Sequence, residues 1–187
     1  NISIFVPHIG CPNKCSFCNQ RYITGSCWAP GTADVAKAVA EAKNSKNFDS
    51  KTAEIAFFGG SFTAINRNYM TDLLMTAEQF VMDGTVKGIR ISTRPDAIND
   101  EILTLLKEHG VTSIELGAQS MNDRVLRMNN RGHTSGDVER ASKLIRERGF
   151  ELGLQMMTGL YGDSDNSAVK TAEKLIALKP DTIRIYP

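Results

Sequence analysis

Short apolar runs and helical apolar stripes alternate along the chain. Ile2 to Val6 reads as a strand, and the Ala-rich Thr32 to Lys46 as a helix. Glu54 to Phe58 is a strand that runs into Gly59-Gly60. In Asn66 to Met82, the positions Leu73, Leu74, Ala77, Phe80 and Val81 fall on one face of a helix. Gly88 to Ser92 is a strand, and Asn99 to His109 a helix with Asn99 or Asp100 as its cap and Gly110 as its stop. Val111 to Leu116 is a strand; Asn122 to Met128 and Ser135 to Arg148 are helices, the second stopped by Gly149. Phe150 to Met156 is a strand, Ser164 to Leu178 a helix closed by Lys179-Pro180, and Asp181 to Tyr186 the last strand. Regular alternation of this kind predicts parallel strands joined by right-handed crossovers. A doubly wound sheet and a partial barrel both satisfy it.

Period-two patterning separates the two. Arg90, Ser92 and Arg94 share one strand face; so do Glu115, Gly117 and Gln119, then Glu151, Gly153 and Gln155, then Thr182, Arg184 and Tyr186. Four strands thus set a polar face against an apolar one. The apolar faces pack on helices, so the polar faces line a common interior. A closed barrel fills its interior with branched apolar side chains. A polar interior predicts an open, TIM-like partial (βα)6 barrel of the α/β class around a polar ligand. The alternative is that some of these strands are edges with a solvated face. The chain lacks a starting Met and stops just after a strand, where one more helix is expected. It therefore reads as a single domain, 1–187, truncated at its C-terminal end.

Charge changes little in this picture. The formal net charge is +1, from 22 basic and 21 acidic residues. That balance supports neither a strongly basic nucleic-acid surface nor a membrane surface, although a local patch for RNA is compatible with it. No apolar run approaches the ~20 residues of a membrane span, and the apolar start has no basic leader, so a cytoplasmic location is expected.

Cysteine placement is more informative. Cys11, Cys15 and Cys18 lie in one loop after the first strand, spaced C-x3-C-x2-C, with Cys27 nearby. A disulfide scaffold would spread its cysteines; a cluster at one end of a core-forming chain reads as metal binding in a reducing compartment. Three thiolates reach three corners of a cubic iron–sulfur cluster and leave one iron open, and an open coordination position marks chemistry rather than structure. Zinc is the competing reading, with His8 or Cys27 as fourth ligand. Cys27 alone reads as a small buried residue, and His8, His109 and His133 as structural or exposed.

The spacing, with Phe17 before the last cysteine, resembles the signature of the radical S-adenosylmethionine (SAM) superfamily. The likeness runs along most of the chain. Gly59-Gly60-Ser61 stands where the family carries a Gly-Gly-Glu-like motif that meets the SAM amino group; with Ser61 at the acidic position, the backbone contact remains. Ser92-Thr93-Arg94-Pro95-Asp96 resembles the Glu-Thr-Arg-Pro-Asp segment of elongator catalytic-subunit relatives, with Ser92 in place of Glu. Gly117-Ala118-Gln119 resembles the Gly-x-Gln turn of oxygen-independent coproporphyrinogen oxidases, which implies a ribose contact for Gln119. Asn130-Arg131-Gly132-His133-Thr134 resembles a run found in both branches and implies that Arg131 binds the SAM carboxylate. Gln155 stands at a ribose-contacting position, and Phe17 is placed to cover the adenine.

The resemblance implies a [4Fe-4S] cluster on Cys11, Cys15 and Cys18, and SAM as second cofactor. It also implies reductive cleavage of SAM to methionine and a 5′-deoxyadenosyl radical that takes hydrogen from a substrate, in oxidoreductase or transferase chemistry. A ferredoxin or flavodoxin would donate the electron. The substrate is left open, with tRNA among the candidates. A non-catalytic iron–sulfur or haem-handling protein on the same fold, and a zinc-stabilised binding module, are the alternatives.

Overall fold

The computed structural model describes residues 1–7, 15–18 and 29–187. The pattern of alternating elements is present throughout. In chain order they are β1 (Ile2–Val6), α1 (Thr32–Lys43), β2 (Glu54–Gly59), α2 (Arg67–Met82), β3 (Gly88–Thr93), α3 (Asp100–Glu108), β4 (Val111–Gln119), α4 (Asp123–Met128), α5 (Ser135–Glu147), β5 (Glu151–Met157), α6 (Asp165–Ala177) and β6 (Thr182–Tyr186). Short 3-10 turns follow β2 at Phe62–Ala64 and β3 at Pro95–Ala97.

Helix starts follow local chemistry. The Asn99 side chain accepts from the Ile102 N–H and caps α3, while Thr134 and Asp137 form a reciprocal capping box on α5. α1 ends at Lys43, three residues before the predicted boundary, and Asn44 caps it.

The strand order decides between the two architectures. The six strands pair in sequence, β1-β2-β3-β4-β5-β6, each pair parallel. A doubly wound sheet reverses its order at a switch point; this sheet winds one way. β1 and β6 are the two ends of the sheet and do not pair, so the partial barrel is open.

The helices cover one face. Leu73, Leu74 and Ala77 of α2, Leu103 and Leu106 of α3, and Val138 and Ile145 of α5 pack with Ile55, Phe57, Ile89, Ile91, Ile114, Leu116, Leu152 and Leu154 in one buried cluster. The residues between those strand positions face the other way, into the barrel. Arg94 departs from the expected parity. It lies one residue beyond β3, where Pro95 turns the chain, and is fully buried. It pairs with Asp96 and donates from Nη2 to the Arg131 carbonyl at 2.9 Å, away from the interior.

Candidate functional site

The inward faces enclose a cavity of about 430 Å³, a size suited to a small-molecule ligand. Its walls differ. On β1 and β2 the interior carries Ser3, Ala56 and an edge-to-face pair of rings, Phe5 and Phe58, 5.5 Å apart. On β3 to β6 it carries charge and amides. The alternation of β2 hides its one interior acid, Glu54, among Ala56 and Phe58, so sequence reading missed it.

The floor, toward the strand starts, is an ion-pair network. Arg90 Nε donates to Glu54 Oε2 at 2.8 Å, and Nη2 to Glu151 Oε2 at 3.2 Å. Ser113 Oγ donates to Glu151 Oε2 at 2.8 Å and lies 3.3 Å from Glu54 Oε1. Burial works against the Arg90 charge, but the Glu54 hydrogen bond and the fields of Glu54, Glu115 and Glu151 outweigh it and raise its pKa. The Ser113 hydroxyl leads the causes that lower the Glu151 pKa, against partial desolvation.

One layer up, Glu115 lies opposite Gly153. A Cβ at position 153 would come within 2.8 Å of Glu115 Cγ, so glycine leaves the space that this buried carboxylate occupies. Glu115 Oε1 meets Arg184 at 2.9 Å and Arg90 at 3.5 Å, and Oε2 accepts from Gln155 Nε2 at 2.7 Å.

At the rim, by the strand ends, two buried polar atoms lack partners among the described residues. β4 ends in a register shift between Gly117 and Gln119, and Gln119 has φ of 65°. That left-handed backbone is costly for a residue with a Cβ and is held by its surroundings. It carries the Gln119 side chain back over Gly117, where the Arg131 guanidinium also lies. Arg131 Nη2 donates to the Gly117 carbonyl at 2.6 Å, and Nη1 to Cys15 Sγ at 3.6 Å. Gln119 Oε1 and Arg131 Nε are buried without a hydrogen-bond partner among the described residues.

Residues 15–18 of the cysteine loop are docked on the segment that carries Arg131. The Ser16 N–H donates to the Asn129 carbonyl at 3.1 Å, and Ser16 Oγ to Asn129 Oδ1 at 2.7 Å. The Asn129 amide donates in turn to the carbonyls of Val125 and Tyr161. Cys18 N–H returns to the Cys15 carbonyl at 3.1 Å in a tight turn. Asn129 lies just before the Asn130-Arg131-Gly132-His133-Thr134 run, and its role is revealed only by the docked geometry.

His133 is buried. Its Nε2–H donates to the Ala118 carbonyl at 3.1 Å. Burial, with the nearby Arg131 charge, lowers its pKa to about 4, so it is neutral at physiological pH. It supports the end of β4, in line with a structural reading. His109 pairs with Glu78 at 2.7 Å, distant in role from the site.

Cys15, Phe17, Cys18, Gly59, Gly60, Ser61, Ser92, Gln119, Arg131 and Gln155 all line this one cavity. Cys11 lies outside the described residues, as do His8 and Cys27. Gly59 has a second reason to be glycine. Gly59 has φ of 106°, and a Cβ on it would meet the Phe5 ring at 2.4 Å. Close packing against β1 therefore requires it, whatever the cavity holds.

The Radical SAM superfamily model matches residues 5–175. Protein YhcC of Escherichia coli is 28% identical over 189 residues, covering 95% of this chain and 59% of that protein. The tRNA uridine(34) acetyltransferase of Dehalococcoides mccartyi is 22% identical, over 100% of this chain and 48% of its own length. The chain thus spans only part of the relatives it matches. Among solved structures, the archaeal Methanocaldococcus infernus Elp3 superposes with a TM-score of 0.73 at 19% identity, over 99% of this chain and 45% of that one. Coproporphyrinogen III oxidase (HemN) from Escherichia coli gives 0.65 at 20% identity, over 99% and 44%. Both branches expected from the motifs are represented, and with the family model covering most of its length the chain belongs to the radical SAM superfamily.

Proposed function

We propose that this chain is the cofactor-binding core of a radical SAM enzyme, with a [4Fe-4S] cluster on Cys11, Cys15 and Cys18 and SAM in the barrel interior. The observation that carries this reading is the rim. Cys15 and Cys18 border the same cavity as two buried polar atoms, Gln119 Oε1 and Arg131 Nε, that have no partner among the described residues. Buried polar groups in native proteins are nearly always satisfied, so unpaired ones on residues that line a cavity call for a partner that the described residues do not supply. An acceptor and a cationic donor suit a molecule that carries both hydroxyls and a carboxylate.

The residues divide the work. Arg131 Nη1 hydrogen-bonds the Cys15 sulfur, and its Nε is left for a carboxylate. Gly59 and Gly60 offer backbone groups to the amino end, with the Ser61 and Ser92 hydroxyls beside them. Gln119 and Gln155 take the ribose, and Phe17 the adenine. When bound, cluster and SAM supply one-electron chemistry: reductive cleavage of the sulfonium and hydrogen abstraction from the substrate.

A tRNA substrate is supported by the relatives named for tRNA modification. The balanced charge adds nothing to it. A low-potential ferredoxin or flavodoxin would supply the electron. A cytoplasmic setting suits an oxygen-sensitive cluster, and no described helix is long and apolar enough to cross a membrane.

The test is anaerobic reconstitution with iron and sulfide, followed by dithionite and SAM, with chromatography for 5′-deoxyadenosine. Product that depends on Cys11, Cys15 and Cys18 is expected. A full cluster without product would favour an iron–sulfur carrier, and tight zinc without a cluster would overturn the reading.

A further inference from the structure

The turn that ends α4 decides what its last residues face. The Asn130 N–H donates to the Arg127 carbonyl at 3.1 Å and the Arg131 N–H to the Leu126 carbonyl at 3.0 Å, with Asn130 at φ of 53°. This is a Schellman turn, whose left-handed position takes glycine or asparagine. It brings both Asn129 and Arg131 against residues 15–18. Asn129 is 1% exposed, and its carbonyl is one of those that a helix leaves unpaired at its C-terminus. The Ser16 N–H supplies the partner at 3.1 Å.

Chemistry fixes which way the Asn129 amide points. Its Nδ2 lies 2.8 Å from the Val125 carbonyl and 2.9 Å from the Tyr161 carbonyl, and carbonyls only accept. That end is the NH2, and both its hydrogens are used. Oδ1 is therefore the acceptor, and the Ser16 hydroxyl donates to it at 2.7 Å. Beside this contact, Arg131 Nη1 donates to Cys15 Sγ and the Cys18 N–H to the Cys15 carbonyl. An exposed serine thus ties the segment between two cysteines to a buried amide anchored on two carbonyls. Without Ser16, the Asn129 side-chain oxygen and carbonyl lose these partners together, a cost that favours the docked segment.

We propose that Asn129 is a positioning residue for the cluster: through Ser16 it holds Cys15 and Cys18 in the arrangement that retains iron, and it ties them to the β5–α6 loop at Tyr161. This rests on the reading of Cys11, Cys15 and Cys18 as cluster ligands. With only three protein ligands, the rate at which the cluster is lost reports how firmly their segment is held. Ser16→Ala removes one bond at the surface, and Ser16→Thr keeps the hydroxyl. Asn129→Asp keeps the shape of the side chain but sets a carboxylate oxygen against the Val125 and Tyr161 carbonyls.

The experiment follows anaerobic loss of the cluster from the reconstituted protein to EDTA, by decay of the brown absorbance, beside thermal unfolding of the cluster-free protein. S16A is expected to lose its cluster about fivefold faster than wild type, one hydrogen bond's worth. It is expected to unfold at the wild-type temperature, because an exposed side chain outside the core carries little stability. S16T should restore the wild-type rate, since threonine keeps the donor. N129D should lose the cluster faster than S16A; should it fail to fold, the S16A and S16T pair decides alone. An S16A cluster as long-lived as that of wild type would overturn the inference. Equally fast loss from S16A and S16T would do the same, because the hydroxyl would then not be the tie. So would a lowered unfolding temperature in cluster-free S16A, which would make the bond part of the fold's stability. In each of these cases wild type still carries its cluster and the cofactor reading stands; a wild type that assembles no cluster would remove both.

Discussion

The floor and the rim of the barrel interior are built from the same kinds of residue and end in opposite states. At the floor, Arg90 meets three carboxylates, Glu54 is met by Arg90 and Ser113, and Glu151 is met by Arg90, Ser113 and Lys87. At the rim, Gln119 and Arg131 are as deeply buried, yet each keeps an atom without a described partner, and Gln119 sits on strained backbone. A saturated polar network fixes a structure; a half-saturated one is costly unless something completes it. The contrast is the ground for reading the floor as a folding element and for the proposal that the rim holds a ligand.

The sharpest way to break this contrast is at the cysteine loop. Cys15→Ala should abolish cluster assembly, seen as loss of iron, sulfide and brown absorbance, while circular dichroism shows the barrel intact. A full cluster in that variant would remove Cys15 from the ligand set. The converse test is at the floor. Arg90→Met leaves Glu54 buried without its cation, while Glu115 keeps Arg184, and breaking such a pairing costs about 3–5 kcal/mol. Urea denaturation should show that loss; stability within about 1 kcal/mol of wild type would mean that the floor is not structural.

His133 gives a pH test between the two. Its pKa in the folded protein, about 4, lies below the ordinary 6.5. The unfolded state therefore binds a proton first as pH falls. Stability from this group is complete above about pH 6.5 and is lost progressively down to about pH 4, on the order of 3 kcal/mol in all. A His133→Gln variant should lack that part of the pH slope; an unchanged slope would place the titration elsewhere.

The smallest expected effect has two signs. Gln119→Gly relaxes the positive φ and removes a buried orphan, so the protein without ligands should gain about 1 kcal/mol. The same change should weaken SAM by about five- to tenfold, one hydrogen bond's worth, with the cluster spared. Loss of both stability and affinity would mean that Gln119 is a packing residue.

The barrel was legible in the sequence because period-two patterning survives in β3 to β6, where polar residues occupy the inward positions. It was not legible in β1 and β2, whose inward Phe5, Ala56 and Phe58 read like core. Gln119, Arg131 and Gln155 were found through motifs. Their geometry was not, because the bulge after Gly117 and the docking of Ser16 on Asn129 join segments far apart in the chain. The space over Gly153 has meaning only once the register sets Glu115 opposite it. Arg94 was misplaced because strand parity was carried one residue past the end of β3.

The most direct test of the account is electron paramagnetic resonance of the reduced, reconstituted protein with and without SAM. If the rim is completed by SAM at an open iron, adding SAM should shift the cluster signal in wild type, with a weaker response in Arg131→Ala. A well-formed reduced cluster whose spectrum is indifferent to SAM would contradict it.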